Sequence, residues 1–220
     1  MRIPNKAIIV SSALAMLMMT GCGDDSNGNE NVKTVPIKKS AAVYFSRVGN
    51  TDFPSDIDAV TSASLNRIDG ELKGNAQLIA QWAADEAGAD CIEIVAEKSY
   101  PVDYNETVDL AKDEQGKKER PALSGSYDSL KDCDTIWLSI PNWWADLPMP
   151  VYTFFEENDF KGKNIYVFVT HEGSGFSSIV KTIRDIEPDA NVVEALSVKG
   201  GSAAGEEKTI KDYVKKQKSK

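Results

Sequence analysis

Residues capable of chemistry gather in three short segments, each at the end of an apolar run. Residues 41–51 (AAVYFSRVGNT) close with Ser46, Arg47, Val48, Gly49, Asn50 and Thr51, a set of hydroxyl, guanidinium and backbone N–H groups able to surround an anion. The run TIWLSI leads into Pro141, Asn142, Trp143, Trp144 and Ala145, and the two indoles are candidate walls for stacking a flat ligand. One of the two is expected to be a core residue; the sequence leaves open which. The run NIYVFVT leads into His171, Glu172, Gly173, Ser174 and Gly175, where the glycines let backbone N–H groups approach the edge of a planar molecule. His171 is the single histidine of the chain, so any imidazole acid–base chemistry falls to it. A hydrogen-bonded structural role is the plainer alternative.

These segments need strands to carry them. Apolar runs of strand length are expected at residues 41–45, 91–95, 134–140, 164–170 and 192–196, and they alternate with helical patterns. One helix starts at Gly74-Asn75 and stops at Gly88, with Ala76, Ile79, Ala80, Ala83 and Ala87 on one face. Residues 104–118 read as a polar helix whose narrow stripe of Tyr104, Val108 and Ala111 suits a surface helix or the flank of a lid. A short helix follows Met149-Pro150, another is capped by Ser177 or Ser178 and closed by Pro188, and the last matches its dipole with Glu206 and Glu207 early and Lys215 and Lys216 late. Residues 52–73 read as an inserted loop, after which Asn75 and Ala76 at the helix start would complete the anion site jointly with Ser46 and Arg47. Strands alternating with helices predict an α/β fold: a doubly wound, five-stranded parallel sheet of order 2-1-3-4-5 with helices on both faces, its ligand lying between strands 1 and 3 at their carboxyl ends.

Together the motifs SRVGNT, residues 143–150 (WWADLPMP) and THEGSGF, in this order after three strands, resemble the flavodoxin-like family, in its extracytoplasmic lipoprotein branch. The resemblance implies a flavin mononucleotide (FMN), its phosphate in the first segment, its ring against the tryptophans and its pyrimidine edge at the third. It also implies that a small residue after the second tryptophan lets a peptide turn over as the flavin changes redox state. That position is Ala145 here, for which positive φ is costlier than for glycine.

At the N-terminus, Arg2 and Lys6 precede an apolar run that is short for a membrane span and ends in Met19-Thr20-Gly21-Cys22, a pattern resembling a lipoprotein signal. Residues 1–21 are therefore expected to be a signal peptide, Cys22 the lipidated residue, residues 22–40 a flexible tether and residues 41–218 the folded domain. Loss of Arg2 and Lys6 takes the net charge from −9 to −11. So acidic a chain disfavours nucleic acid as a partner and leaves the lipid as the membrane anchor. Cys91 and Cys133 fall near strands that are not neighbours in the expected sheet, too far apart for a disulfide, and read as small buried hydrophobes.

With no G-x-G-x-x-G fingerprint and a location outside the cytoplasm, the favoured function is an FMN-binding electron-transfer flavoprotein exchanging electrons with a partner protein or a small-molecule acceptor. An FMN-dependent quinone or small-molecule reductase is the second reading, and a non-redox binding module on the same scaffold the third.

Overall fold

Side-chain alternation gives the central strands two buried faces. In the computed structural model, which describes residues 37–57 and 64–220, β1 (Ser40–Phe45) turns Ala41, Val43 and Phe45 toward one core and Ala42 and Tyr44 toward another. The chain continues through β2 (Leu65–Ile68), β3 (Glu71–Gly74), α1 (Asn75–Ala87), β4 (Asp90–Ala96), α2 (Tyr104–Lys117), β5 (Leu123–Ser124), β6 (Thr135–Pro141), α3 (Met149–Glu157), β7 (Asn164–His171), α4 (Ile179–Ile186), β8 (Asn191–Lys199) and α5 (Glu207–Lys218). The main sheet runs β5-β4-β1-β6-β7-β8. Its five longer strands are parallel and, numbered among themselves, lie in the order 2-1-3-4-5, with the two-residue β5 added antiparallel on the edge. β6 and most of β7 are buried on both faces, which explains their unbroken apolar runs.

One core lies under α3 and α4, through Val151, Phe154, Phe155, Ile179 and Ile183, with Leu110 of α2 packed against it. The other lies under α1 and α5, through Ile79, Ala80, Ala83, Ile210 and Val214. α1 and α2 thus flank opposite faces of β1, a division that matters for the site. α1 ends at Gly88, whose φ of 68° is the left-handed conformation of a helix stop.

Four expectations require correction. Residues 52–73 are not a plain loop, because β2 and β3 pair antiparallel around Asp69-Gly70, both at positive φ. Asp-Gly at a two-residue turn is a strong hairpin signal, and it is present in the sequence. The tether does not extend to residue 40: the Lys38 and Lys39 N–H groups donate to the Asp134 carboxylate and Ser40 opens β1. Cys91 is exposed on β4, near the sheet edge, while Cys133 is buried; both are free thiols. Ser178 occupies the N-cap position of α4 without capping it, since its hydroxyl is used elsewhere. The signal peptide, Cys22 and the tether through residue 36 lie outside the described residues.

Candidate functional site

A cleft of about 440 Å³ opens at the carboxyl ends of β1, β6 and β7. Its walls are Pro141, Asn142, Trp143, Trp144 and Ala145 after β6, Thr170, His171, Glu172, Gly173 and Ser174 around the end of β7, and Tyr104, Thr107, Val108 and Ala111 from α2. The second and third sequence segments therefore meet. The α2 contribution was legible as a stripe at helical spacing but carried no motif that marked it as part of a site.

Residues 143–146 form a two-residue hairpin turn: Trp143 N–H donates to Asp146 O (3.1 Å), Asp146 N–H donates to Trp143 O (3.0 Å), and Trp144 and Ala145 have φ of 54° and 64°. Left-handed backbone at both central positions normally selects glycine or asparagine. Bonds from two helices hold the turn. Gln115 Nε2 donates to Trp144 O (3.3 Å), and both the Ser178 N–H (3.2 Å) and its hydroxyl (2.5 Å) donate to Ala145 O. The Asp146 carboxylate in turn accepts from Tyr152 and Thr182. Trp143 is half-buried, edge-on to Phe45 (5.3 Å) and Tyr100 (5.2 Å). Trp144 is 45% exposed, donates from Nε1 to Val108 O and lies under the Lys112 ammonium. The open indole at the cleft is Trp144, and Trp143 anchors it to the core.

His171 Nδ1 accepts from the Gly173 N–H at 2.8 Å, so the unprotonated nitrogen is Nδ1 and the ring pins the loop. Gly173 has φ of 138° and Gly175 of 58°. Gly175 and Ser174 are tied to this loop and its neighbour, since Asn142 Nδ2 donates to Gly175 O and the Ser177 hydroxyl to Ser174 O. Glu172 is exposed.

The first segment departs most from expectation. Its N–H groups serve the chain itself: Val48 N–H donates to Ser46 Oγ, Asn50 N–H to Arg47 O, and the Gly49 N–H lies against the Glu93 carboxylate, near which a Cβ at Gly49 would fall 1.9 Å from Oε1. The Asn50 side chain is structural, bridging Ser46 O, Ile94 O and the Ala96 N–H. Burial pushes the Glu93 carboxyl upward, against the Tyr44 hydroxyl and the Gly49 N–H that favour its charge. Thr51 is buried with its hydroxyl unpartnered.

Ser46 and Arg47 also part company. Ser46 is packed so tightly on Gly74 that a Cβ there would lie 1.8 Å from its Oγ, which puts it at the start of α1 beside Asn75 and Ala76. Asn75 N–H donates to Ser64 O, and Ser64 lines the cleft, so this helix start adjoins it. Arg47 goes to the α2 side instead, where Nη2 donates to Pro101 O, Val102 O and Thr107 Oγ1. The expected joint grip of Arg47 with Asn75 and Ala76 is not assembled, because the acceptors that hold the guanidinium, Pro101 O, Val102 O and Thr107 Oγ1, lie on the α2 side.

The arrangement suits a ligand with an anionic end and a flat body. The Ser46 hydroxyl, free to donate, and the N–H groups of α1 that follow Asn75, whose own N–H is taken by Ser64 O, provide the former, and Trp144 with the α2 stripe the latter.

A family model described as flavodoxin matches residues 70–217. Among solved structures, a candidate flavoprotein from Bacteroides uniformis is 26% identical, with a TM-score of 0.60 and coverage of 80% of this chain and 97% of that one. A flavoprotein from Lactobacillus acidophilus, solved in complex with FMN, is 19% identical, with a TM-score of 0.53 and coverage of 76% and 97%. A candidate flavoprotein from Bacteroides eggerthii is 21% identical, with a TM-score of 0.55 and coverage of 78% and 97%. The last two are likenesses of fold. No curated protein matches the chain.

Proposed function

The chain belongs to the flavodoxin family, and on that footing we propose that it is an FMN-binding electron-transfer flavoprotein held outside the cytoplasmic membrane by a lipid on Cys22. One observation carries the cofactor assignment: the cleft sets a flat wall of Trp144, Val108 and Ala111 beside the backbone of residues 171–174, and is bordered by Ser64, whose carbonyl accepts from the first N–H of α1. The Lactobacillus acidophilus relative in fold was solved with FMN, which supports the same ligand here. In this reading Ser46 and the Asn75-Ala76 end of α1 hold the phosphate, Trp144 stacks on the ring, and the backbone near Gly173 and Ser174 meets its pyrimidine edge. Ala76 supplies an N–H group without a side-chain hydroxyl. FMN supplies reversible electron uptake; the protein supplies position and exclusion of water.

Export and lipidation rest on the sequence at residues 1–22, and electron transfer as opposed to a reductase rests on the expected location, away from soluble nicotinamide donors. The test of the cofactor is direct. The purified full-length protein should be yellow or take up added FMN with flavin absorbance and quenched fluorescence. A colourless protein indifferent to FMN would remove every redox reading at once. Globomycin-sensitive processing and labelling of Cys22 with a fatty-acid analogue test the anchor, and an unlabelled, fully secreted protein would refute it.

A further inference from the structure

Arg47 is 3% exposed and lines the cleft, yet no salt bridge to it is found among the described residues. A guanidinium carries five N–H donors. The hydrogen bonds made by Arg47 all leave from Nη2, to two carbonyls and one hydroxyl, while its buried Nε has no partner. The rings of Phe53 (5.0 Å) and Tyr104 (5.9 Å) flank it. Burial lowers its pKa from the usual arginine value, against the smaller opposing effects of Tyr104 and of the Asp103 carboxylate, which makes no salt bridge to it. A buried cation whose hydrogen-bond partners are all neutral and whose donors are partly unfilled is costly unless an anion completes it.

The surroundings describe the rest of that ligand. The large apolar residues exposed among the described residues, Val102, Tyr104 and Trp144, all belong to this end of the molecule: Val102 O accepts from Arg47, Tyr104 packs on its guanidinium, and Trp144 shares the cleft. Among the described residues, no hydrogen bond engages the Tyr104 hydroxyl. Arg47 is held on the α2 side of the cleft, whereas the Ser46–Asn75 end assigned above to the phosphate lies at the start of α1.

We propose that Arg47 and Tyr104 form a second recognition site, for the carboxylate of a planar organic molecule that exchanges electrons with the flavin. The proposal rests on the FMN reading, and it selects a small-molecule acceptor or donor bearing an acid group over a neutral one. Arg47 offers the charge and its free donors, and Tyr104 its hydroxyl and its exposed ring for the body of the molecule. Arg47 is a binding residue here, with no proton to give.

Benzoate is the probe, added to the FMN-loaded full-length protein while the flavin absorption band is followed. The wild type should show a saturable perturbation of the band, and inorganic phosphate should not reproduce it. Arg47→Gln, which keeps amide donors for the loop carbonyls, should retain FMN and weaken benzoate about tenfold or more, as loss of a charge-assisted hydrogen bond implies. Tyr104→Phe keeps the ring on an exposed position and should weaken benzoate several-fold; it decides the matter if Arg47→Gln fails to fold. Equal benzoate binding by wild type and both variants overturns the proposal while leaving the FMN reading intact. Loss of FMN from a folded Arg47→Gln protein also overturns it, since Arg47 would then hold the phosphate. A wild type that binds no FMN removes the reading on which it rests.

Discussion

Truncating Trp143 and Trp144 in turn separates anchoring from ligand contact. Trp143 packs edge-on against Phe45 and Tyr100, so Trp143→Ala should cost about 3 to 5 kcal/mol of stability, read as an early thermal melt. Trp144 is 45% exposed, so Trp144→Ala should melt nearly as the parent does but hold FMN less tightly by about 0.5 to 1.5 kcal/mol, with brighter flavin fluorescence. Normal melting of both variants would contradict the anchoring role. Glu187, at the end of α4, illustrates a different residue-scale effect. Burial, with Asp159 adding repulsion, raises its pKa from 4.5 to about 7. A carboxyl raised on folding contributes stability that is fully present below its unfolded pKa and is lost as pH climbs through the folded one. Glu187→Gln should therefore match the wild type near pH 4 and become the more stable protein above about pH 7, with melting curves diverging across that window. Parallel curves would refute the shift.

Among the elements, the turn of residues 143–146 is shaped from outside. Two L-residues in left-handed backbone are disfavoured on their own, and the turn persists because α2 reaches Trp144 O through Gln115 while the start of α4 reaches Ala145 O through Ser178. The same bonds oppose any rotation of these peptides, whatever the redox state of a ligand. Ala145→Gly should relieve the φ of 64° and stabilise the protein by about 0.5 to 1 kcal/mol, measurable by denaturant midpoint. Ser178→Ala should act in the opposite sense. A destabilised Ala145→Gly variant would mean that the clamps set the turn at no conformational cost.

At the scale of the whole molecule, a ligand that seats across β1, β6 and β7 should couple to the stability of the entire sheet. FMN at about 100 times its dissociation constant should add about 2.7 kcal/mol to unfolding, so the melting temperature should rise with FMN concentration, and a flat response would exclude native-state binding. The sheet was legible from sequence because buried parallel strands leave apolar runs, and helix starts and stops leave Gly74-Asn75 and Gly88. Trp143, Trp144 and the residues 171–174 were legible as site walls because they follow strand ends. The bearing of Arg47 was not, since the side chain that follows a strand end goes wherever its neighbours offer acceptors, and the carbonyls of Pro101 and Val102 lie 54 and 55 residues away. Nor was the role of Ser178, whose sequence context fits a helix cap equally well. The contact of Gly74 with Ser46 has a consequence for how the molecule could be rebuilt. The chain returns at Gly74 to the place it left after Ser46, so the stretch between, once past Arg47 and the structural Asn50, is a cassette with both ends near one anchor. Chain length there sets no distance inside the sheet, and a graft of another size can replace it while β1 and α1 keep their places, provided that glycine remains where the ends meet.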